Sequence, residues 1–162
     1  MFNNYKFIDA KNIYDKYTHI YKKHHKGYVI LGPPASGKTT FVNSQNDKNW
    51  IDVDDLFNEL GVNWKHYSDH SQFKLNYLRA DYMLEQSKLY GFKLIGSLFW
   101  EYNPDAIVIP PLDIHKIYIS NRSDLDYNNV LKIRNILIQK ANNNNIPIFN
   151  SCIDAVNYID SL

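Results

Sequence analysis

Two hydropathy patterns share this chain: short continuous apolar runs, and longer stretches in which apolar residues recur every three or four positions. Phe7, Ile8, Ile13, Tyr14, Tyr17, Ile20 and Tyr21 follow the second pattern among lysines and histidines, which predicts an amphipathic helix over 5–25. Tyr28-Val29-Ile30-Leu31 is a short run rich in β-branched residues, as buried strands are. Residues 38–45 predict a short helix and Trp50–Asp54 a second strand. Asp55–Leu60 reads as a helical turn stopped by Gly61. The segment 71–90 carries Phe73, Leu75, Tyr77, Leu78, Tyr82, Leu84 and Leu89 at helical spacing, with Gly91 just beyond. Strands are predicted at Phe92–Ser97 and at Ala106–Pro110, the latter closed by Pro110-Pro111. For 112–121 a strand over His115–Ser120 and a helix starting after Pro111 both fit. A long helix over 126–142, a strand at Ile146–Phe149 and a closing helix over 152–161 complete the chain.

This alternation, summarised as β-α-β-α-β-α-β-α-α-β-α behind the first helix, predicts an α/β protein. A parallel sheet of five strands would be covered by helices on both faces, giving three layers. With 162 residues the chain suits one domain and can bury a proper core without staples. Its single cysteine, Cys152, excludes a disulfide framework and a cysteine-rich zinc site. No apolar run is long enough to span a membrane or to serve as a signal peptide, so a cytoplasmic protein is expected. Lys and Arg total 18 against 17 Asp and Glu, a balance that argues against nucleic acid as a partner. Asn (20), Ile (18), Lys (15) and Tyr (13) are in excess, as an A/T-rich gene, viral or protist, would encode. Only three arginines remain, Arg79, Arg122 and Arg134, so each is a candidate for function.

The strongest chemical signal is Gly32-Pro33-Pro34-Ala35-Ser36-Gly37-Lys38-Thr39, a full match to G-x-x-x-x-G-K-[ST] with a strand before and a helix after. Glycines let successive backbone N–H groups turn inward as an anion nest, and the helix N-terminus adds its positive end. Lys38 would meet the β- and γ-phosphates of ATP, and Thr39 would offer its hydroxyl to Mg²⁺, with Thr40 following in the helix. The second signal is Asp52, Asp54 and Asp55 at the end of the second strand, where strand C-termini face the ligand crevice. Read as strand residues, Asp52 and Asp54 share one face. One of the three, Asp55 foremost, could instead cap the following helix.

On these residues the chain, from about 27 to 162, resembles the small P-loop kinases of the shikimate kinase and nucleoside monophosphate kinase group. Residues 1–26 would be an N-terminal helical extension. The resemblance implies the strand order 2-3-1-4-5, ATP and Mg²⁺ as cofactors, and phosphoryl transfer to a small-molecule hydroxyl or a nucleotide monophosphate. It implies that Asp52 assists the metal with Thr39, and that Asp54, with Asp55 beside it, holds the accepting group. Arg79 would contact the acceptor. Arg122 would be the lid arginine over ATP after a helix at 112–121, Arg134 a further ATP contact, and the loop after the fifth strand would touch adenine. The chain departs from the group at Gly96-Ser97-Leu98-Phe99-Trp100, which lacks both a triple glycine and the acid many P-loop enzymes carry there, and in a short segment between Arg122 and Val130.

A polynucleotide 5′-hydroxyl kinase and a nucleotide binder or weak ATPase without kinase activity stand as alternatives, and monomer and homodimer are both open. Bland readings apply elsewhere. His24-His25 among lysines reads as a solvated helix end, and His66, His70 and His115 lack the spacing of a metal site. Trp50, Trp64 and Trp100 read as packing residues, with Phe99 or Trp100 as a candidate to stack on a substrate ring. Cys152 reads as a small buried side chain.

Overall fold

The computed structural model describes residues 10–59 and 70–162. Within them run α1 (Ala10–Tyr17), β1 (Tyr28–Leu31), α2 (Lys38–Ser44), β2 (Trp50–Asp52), α3 (Val53–Glu59), α4 (His70–Tyr90), β3 (Lys93–Gly96), β4 (Ala106–Val108), α5 (Leu112–Ser120), α6 (Tyr127–Asn144), β5 (Ile148–Phe149) and α7 (Cys152–Asp160). All pairings are parallel and the strand order is β2-β3-β1-β4-β5, as expected. The predicted Gly61 stop, Trp64, His66 and the helix start at 5–9 lie outside the described residues.

Strand side chains point alternately to opposite faces, so β1 to β4 each feed two cores, while the edge strand β5 adds only Phe149 to one of them and leaves Ile148 exposed. Val29, Leu31, Ile51, Leu94 and Ile107 face one layer with Tyr14, Tyr17, Leu56, Phe57, Met83, Leu84 and Leu137, contributed by α1, α3, α4 and α6. Ile30, Trp50, Ile95, Ala106 and Val108 face the other, against Cys152, Ala155, Val156 and Ile159 of α7, with Phe41 and Val42 of α2 at its border. Burial of strands on both faces explains why their sequences read as unbroken apolar runs. Each fully buried Leu, Ile or Phe contributes roughly 1.5–3 kcal/mol.

The N-terminal segment belongs to the first core. Tyr14 and Tyr17 are buried, the Tyr14 hydroxyl accepts from Ser87 Oγ at 3.1 Å, and the Tyr17 hydroxyl donates to the Asp55 carbonyl at 3.3 Å. Its helix is shorter than predicted. After Tyr17 the chain turns, with Ile20 N bonded to the Tyr17 carbonyl, and His24 N reaches the Gly91 carbonyl at 2.7 Å. Ile20 is exposed there, so the apolar stripe that would favour further helix has ended.

Two further expectations are corrected. No helix lies between β3 and β4. The connection, residues 97–105, crosses over β1 and is held by side chains instead. The Asp81 carboxylate accepts the N–H groups of Trp100 and Glu101, each at 2.7 Å, and the Tyr102 hydroxyl donates to Glu85. Lys140 of α6 bonds the Glu101 carbonyl, and Asp105 takes the Val29 N–H and a 2.8 Å ion pair from Lys88. The second correction concerns β2, which ends at Asp52. The Asp52 carboxylate accepts the Asp54 N–H at 2.9 Å, starting α3 at Val53 in the manner of an N-cap. Asp52 and Asp54 therefore do not share a strand face, and the capping acid is Asp52, not Asp55. For 112–121 the structure takes the helix.

Candidate functional site

In a parallel sheet all strand C-termini open on one edge, and here that edge forms the wall of a cavity of about 1720 Å³. Its lining comes from the residues just past the strands: Pro34–Thr40 after β1, Asp54 and Asn58 after β2, Ser97 and Leu98 after β3, Pro110 and Pro111 after β4, and Asn150–Ile153 after β5. The α5–α6 region adds Ile114, Tyr118, Asn121, Arg122 and Leu125.

The Gly32–Thr39 loop is held in an unusual backbone shape. Ala35 (φ 60°) and Gly37 (φ 85°) are both left-handed, the second at the N-cap position of α2. A Cβ at residue 37 would meet no neighbour, so the glycine is demanded by the backbone angle rather than by space. Three side chains hold the arch from beneath. Lys38 Nζ donates to the Pro33 carbonyl and to Ser36 Oγ, the His115 ring bonds the Pro34 carbonyl at 2.9 Å, and Cys152 Sγ lies 3.6 Å from the Ser36 carbonyl. Burial pushes the Cys152 thiol up to about 11, so it stays protonated.

Lys38 is pulled down to about 8, chiefly by burial and further by Arg122, against the upward pull of Cys152, Asp52 and Asp54. Asp54 is raised, first by burial and then by the neighbouring Asp52 charge, with Lys38 opposing. Asp55 is raised by burial and by Asp52. The Thr39 hydroxyl lies 3.5 Å from Asp52 Oδ2, so two hard oxygen groups from α2 and β2 stand together. That pair suits Mg²⁺, which keeps several waters and takes one or two carboxylate or hydroxyl oxygens plus phosphate. No cluster of three or more acidic, His or Cys side chains occurs among the described residues, as a metal held by protein alone would need.

The predicted site residues divide into two sets. Pro34, Ala35, Ser36, Gly37, Lys38, Thr39, Thr40, Asp54 and Arg122 line the one cavity. Gly32, Pro33 and Asp52 lie beneath it, supporting the loop and the Thr39 hydroxyl. The Asp55 carbonyl is bonded by Tyr17 on the α1 side. Arg79 is half-buried on α4 and is not among the lining residues. Arg134, expected as an ATP contact, is not among the lining residues; its guanidinium donates to the Pro110 carbonyl at 2.6 Å and to His115 Nδ1 at 3.0 Å. Arg122 forms a two-pronged exposed pair with Asp124, at 2.7 and 3.1 Å. Neither Phe99 nor Trp100 lines the cavity. Phe99 is buried with Lys140 above its ring, and Trp100 packs edge-on against Tyr77.

The glycine that ends the third strand has a packing cause. A Cβ on Gly96 would stand 2.5 Å from Val53 Cβ and 2.6 Å from its Cγ2, so the end of β3 is closed against the start of α3. Sequence reasoning missed Ser97, Leu98 and Asn58 on the cavity wall and His115 and Cys152 under the loop. The rule that ligands sit past strand C-termini would have found the first two; nothing local marks the others.

Comparison with family models, with curated proteins and with solved structures gives no match. No helix among the described residues is long and apolar enough to cross a membrane.

Proposed function

We propose that this chain is an ATP-dependent phosphotransferase that moves the γ-phosphoryl group of ATP to an acceptor hydroxyl or monophosphate. The observation that supports it best is the convergence of the Gly32–Thr39 loop, Asp54 and Arg122 on one cavity. At about 1720 Å³ that cavity exceeds the roughly 300–1,000 Å³ typical of a single small ligand, room for a nucleotide and an acceptor side by side.

Phosphoryl transfer asks mainly for positioning and for charge placed where it develops. In this reading the inward N–H groups of residues 35–39 hold the phosphates, and Lys38 supplies a cation at the β- and γ-oxygens. Thr39 and Asp52 would hold Mg²⁺, whose chemistry is to neutralise phosphate charge. Asp54 orients the acceptor and takes its proton; its raised pKa makes it a better base than an ordinary carboxylate. Arg122 must leave Asp124 to reach a phosphate, and an exposed pair of that kind is worth only about 0–1 kcal/mol, which phosphate oxygens readily outbid.

The experiment is ADP release from MgATP with and without a panel of acceptors: sugars and polyols, nucleosides, nucleoside monophosphates and 5′-hydroxyl oligonucleotides. Release that rises strongly with one class supports a kinase and names its acceptor. Slow release independent of all of them supports a binder or weak ATPase instead.

A further inference from the structure

His115 is the buried polar group that this scheme does not use. It is fully buried, sits on α5, and bridges two elements that share no covalent neighbourhood. One ring nitrogen meets the Pro34 carbonyl of the phosphate loop at 2.9 Å; the other meets Arg134 of α6 at 3.0 Å. The partners fix the proton. An arginine guanidinium can only donate, so Nδ1 must accept from it, and the single ring proton must sit on Nε2 and point at Pro34. Arg134 is itself fixed by the Pro110 carbonyl at 2.6 Å. Pro33 and Pro34 carry no N–H, so these two loop positions cannot tie themselves down by donating; their carbonyls are the only backbone handles.

We propose that His115 is a positioning residue: with Arg134 behind it, its Nε2–H holds the Pro34 carbonyl and so sets the phosphate loop in the shape that receives phosphate. The contact of His115 with the loop holds whatever the chain does; only the consequence for ATP rests on the phosphotransferase reading. The strut is built for a neutral ring. A proton on Nδ1 would set two donors against each other, His115 and Arg134. The charged groups facing the ring are Arg134 from α6 and Lys38 from α2, both cations. Burial, opposed by the Pro34 bond and aided by the smaller effects of these two charges, holds the ring below the usual histidine value, so the strut persists into mildly acid solution.

The test uses the full chain in two arms. Long-range ¹H–¹⁵N spectra of the histidine rings, assigned with His115→Gln, are recorded across acid and neutral pH. The proposal expects the Nε2–H tautomer at His115 and protonation below the ordinary histidine range; an Nδ1–H tautomer or an ordinary titration overturns it. The same spectra should show the amides of Ala35, Ser36 and Gly37 moved in His115→Ala and largely restored in His115→Gln, whose amide can still donate to Pro34. In the second arm, MgATP affinity is measured by calorimetry. His115→Ala should bind about tenfold more weakly, the cost of one buried hydrogen bond and its orphaned partner. His115→Gln should recover most of that affinity. Equal affinities in all three proteins overturn the proposal. Failure of the unsubstituted chain to bind ATP counts against the phosphotransferase reading alone, because the ring and amide spectra still decide the strut.

Discussion

Asp52 and Thr39 meet across the base of the cavity, Oδ2 to Oγ1 at 3.5 Å, while the other oxygen of the same carboxylate accepts the Asp54 N–H at 2.9 Å. One acid thus joins α2, β2 and α3, and its two oxygens do separable things. One starts a helix, which an amide oxygen does as well; the other faces the Thr39 hydroxyl, where the negative charge of a carboxylate serves a hard cation better than a neutral amide. Asp52→Asn should therefore keep the stability of the parent to within about 0.5 kcal/mol and lose most MgATP turnover, whereas Asp52→Ala should also lose about 1 kcal/mol of stability. Urea unfolding and ADP release on the two variants check this. Equal stability losses would show that an amide oxygen does not replace the carboxylate at this helix start.

Gly96→Ala should be costly for a different reason. The new methyl group falls inside the contact distance of a β-branched side chain on the neighbouring element, and overpacking of this kind costs about 1–3 kcal/mol. Adding Val53→Gly, which removes the Cβ at 2.5 Å together with both Cγ atoms, should return part of that loss, a coupling visible in a double-mutant cycle. Additive losses would place the cost elsewhere than at the Gly96–Val53 contact.

Proton linkage gives a prediction for Lys38. With its pKa lowered to about 8, the ammonium begins to lose its proton above that pH, while phosphate binding favours the charged form. MgATP affinity should fall as pH rises through about 8, and binding near that pH should take up protons. Calorimetry in buffers of different ionisation enthalpy reads the uptake directly. Lys38→Arg, charged throughout, should take up none; uptake that persists in it would assign the proton to another group.

The linkage also bears on stability. A base whose folded pKa is lowered leaves the unfolded chain holding more protons between the two values, so stability rises with pH there. The stability of the parent relative to Lys38→Met should climb from about pH 8 toward 10. A flat difference in urea unfolding would show that burial does not act on Lys38.

The sheet was legible because β1 to β4 are buried on both faces. Four-residue runs such as Tyr28–Leu31 stand out against helical stretches, and the G-x-x-x-x-G-K-[ST] spacing locates the loop between strand and helix. What was not legible depends on contacts between distant residues. Asp54 looked like a strand residue because nothing in Ile51–Asp55 shows that Asp52 folds back on the Asp54 N–H. The bonds of Arg134 to Pro110 and His115 span 24 and 19 positions, so no local pattern shows them. The need for glycine at the end of β3 was not legible either, because it is set by Val53, which lies 43 positions earlier in the chain. The connection to β4 carries no helical signal, and its hold on Asp81, Glu85 and Lys140 could not be read from spacing.

The most direct test of the account is phosphoryl transfer from γ-labelled MgATP by the unsubstituted chain and by Lys38→Ala, each checked for fold by circular dichroism, across the acceptor classes named above. The account predicts label on one acceptor class with the parent and none with Lys38→Ala at unchanged fold. Equal transfer by the two proteins would contradict it.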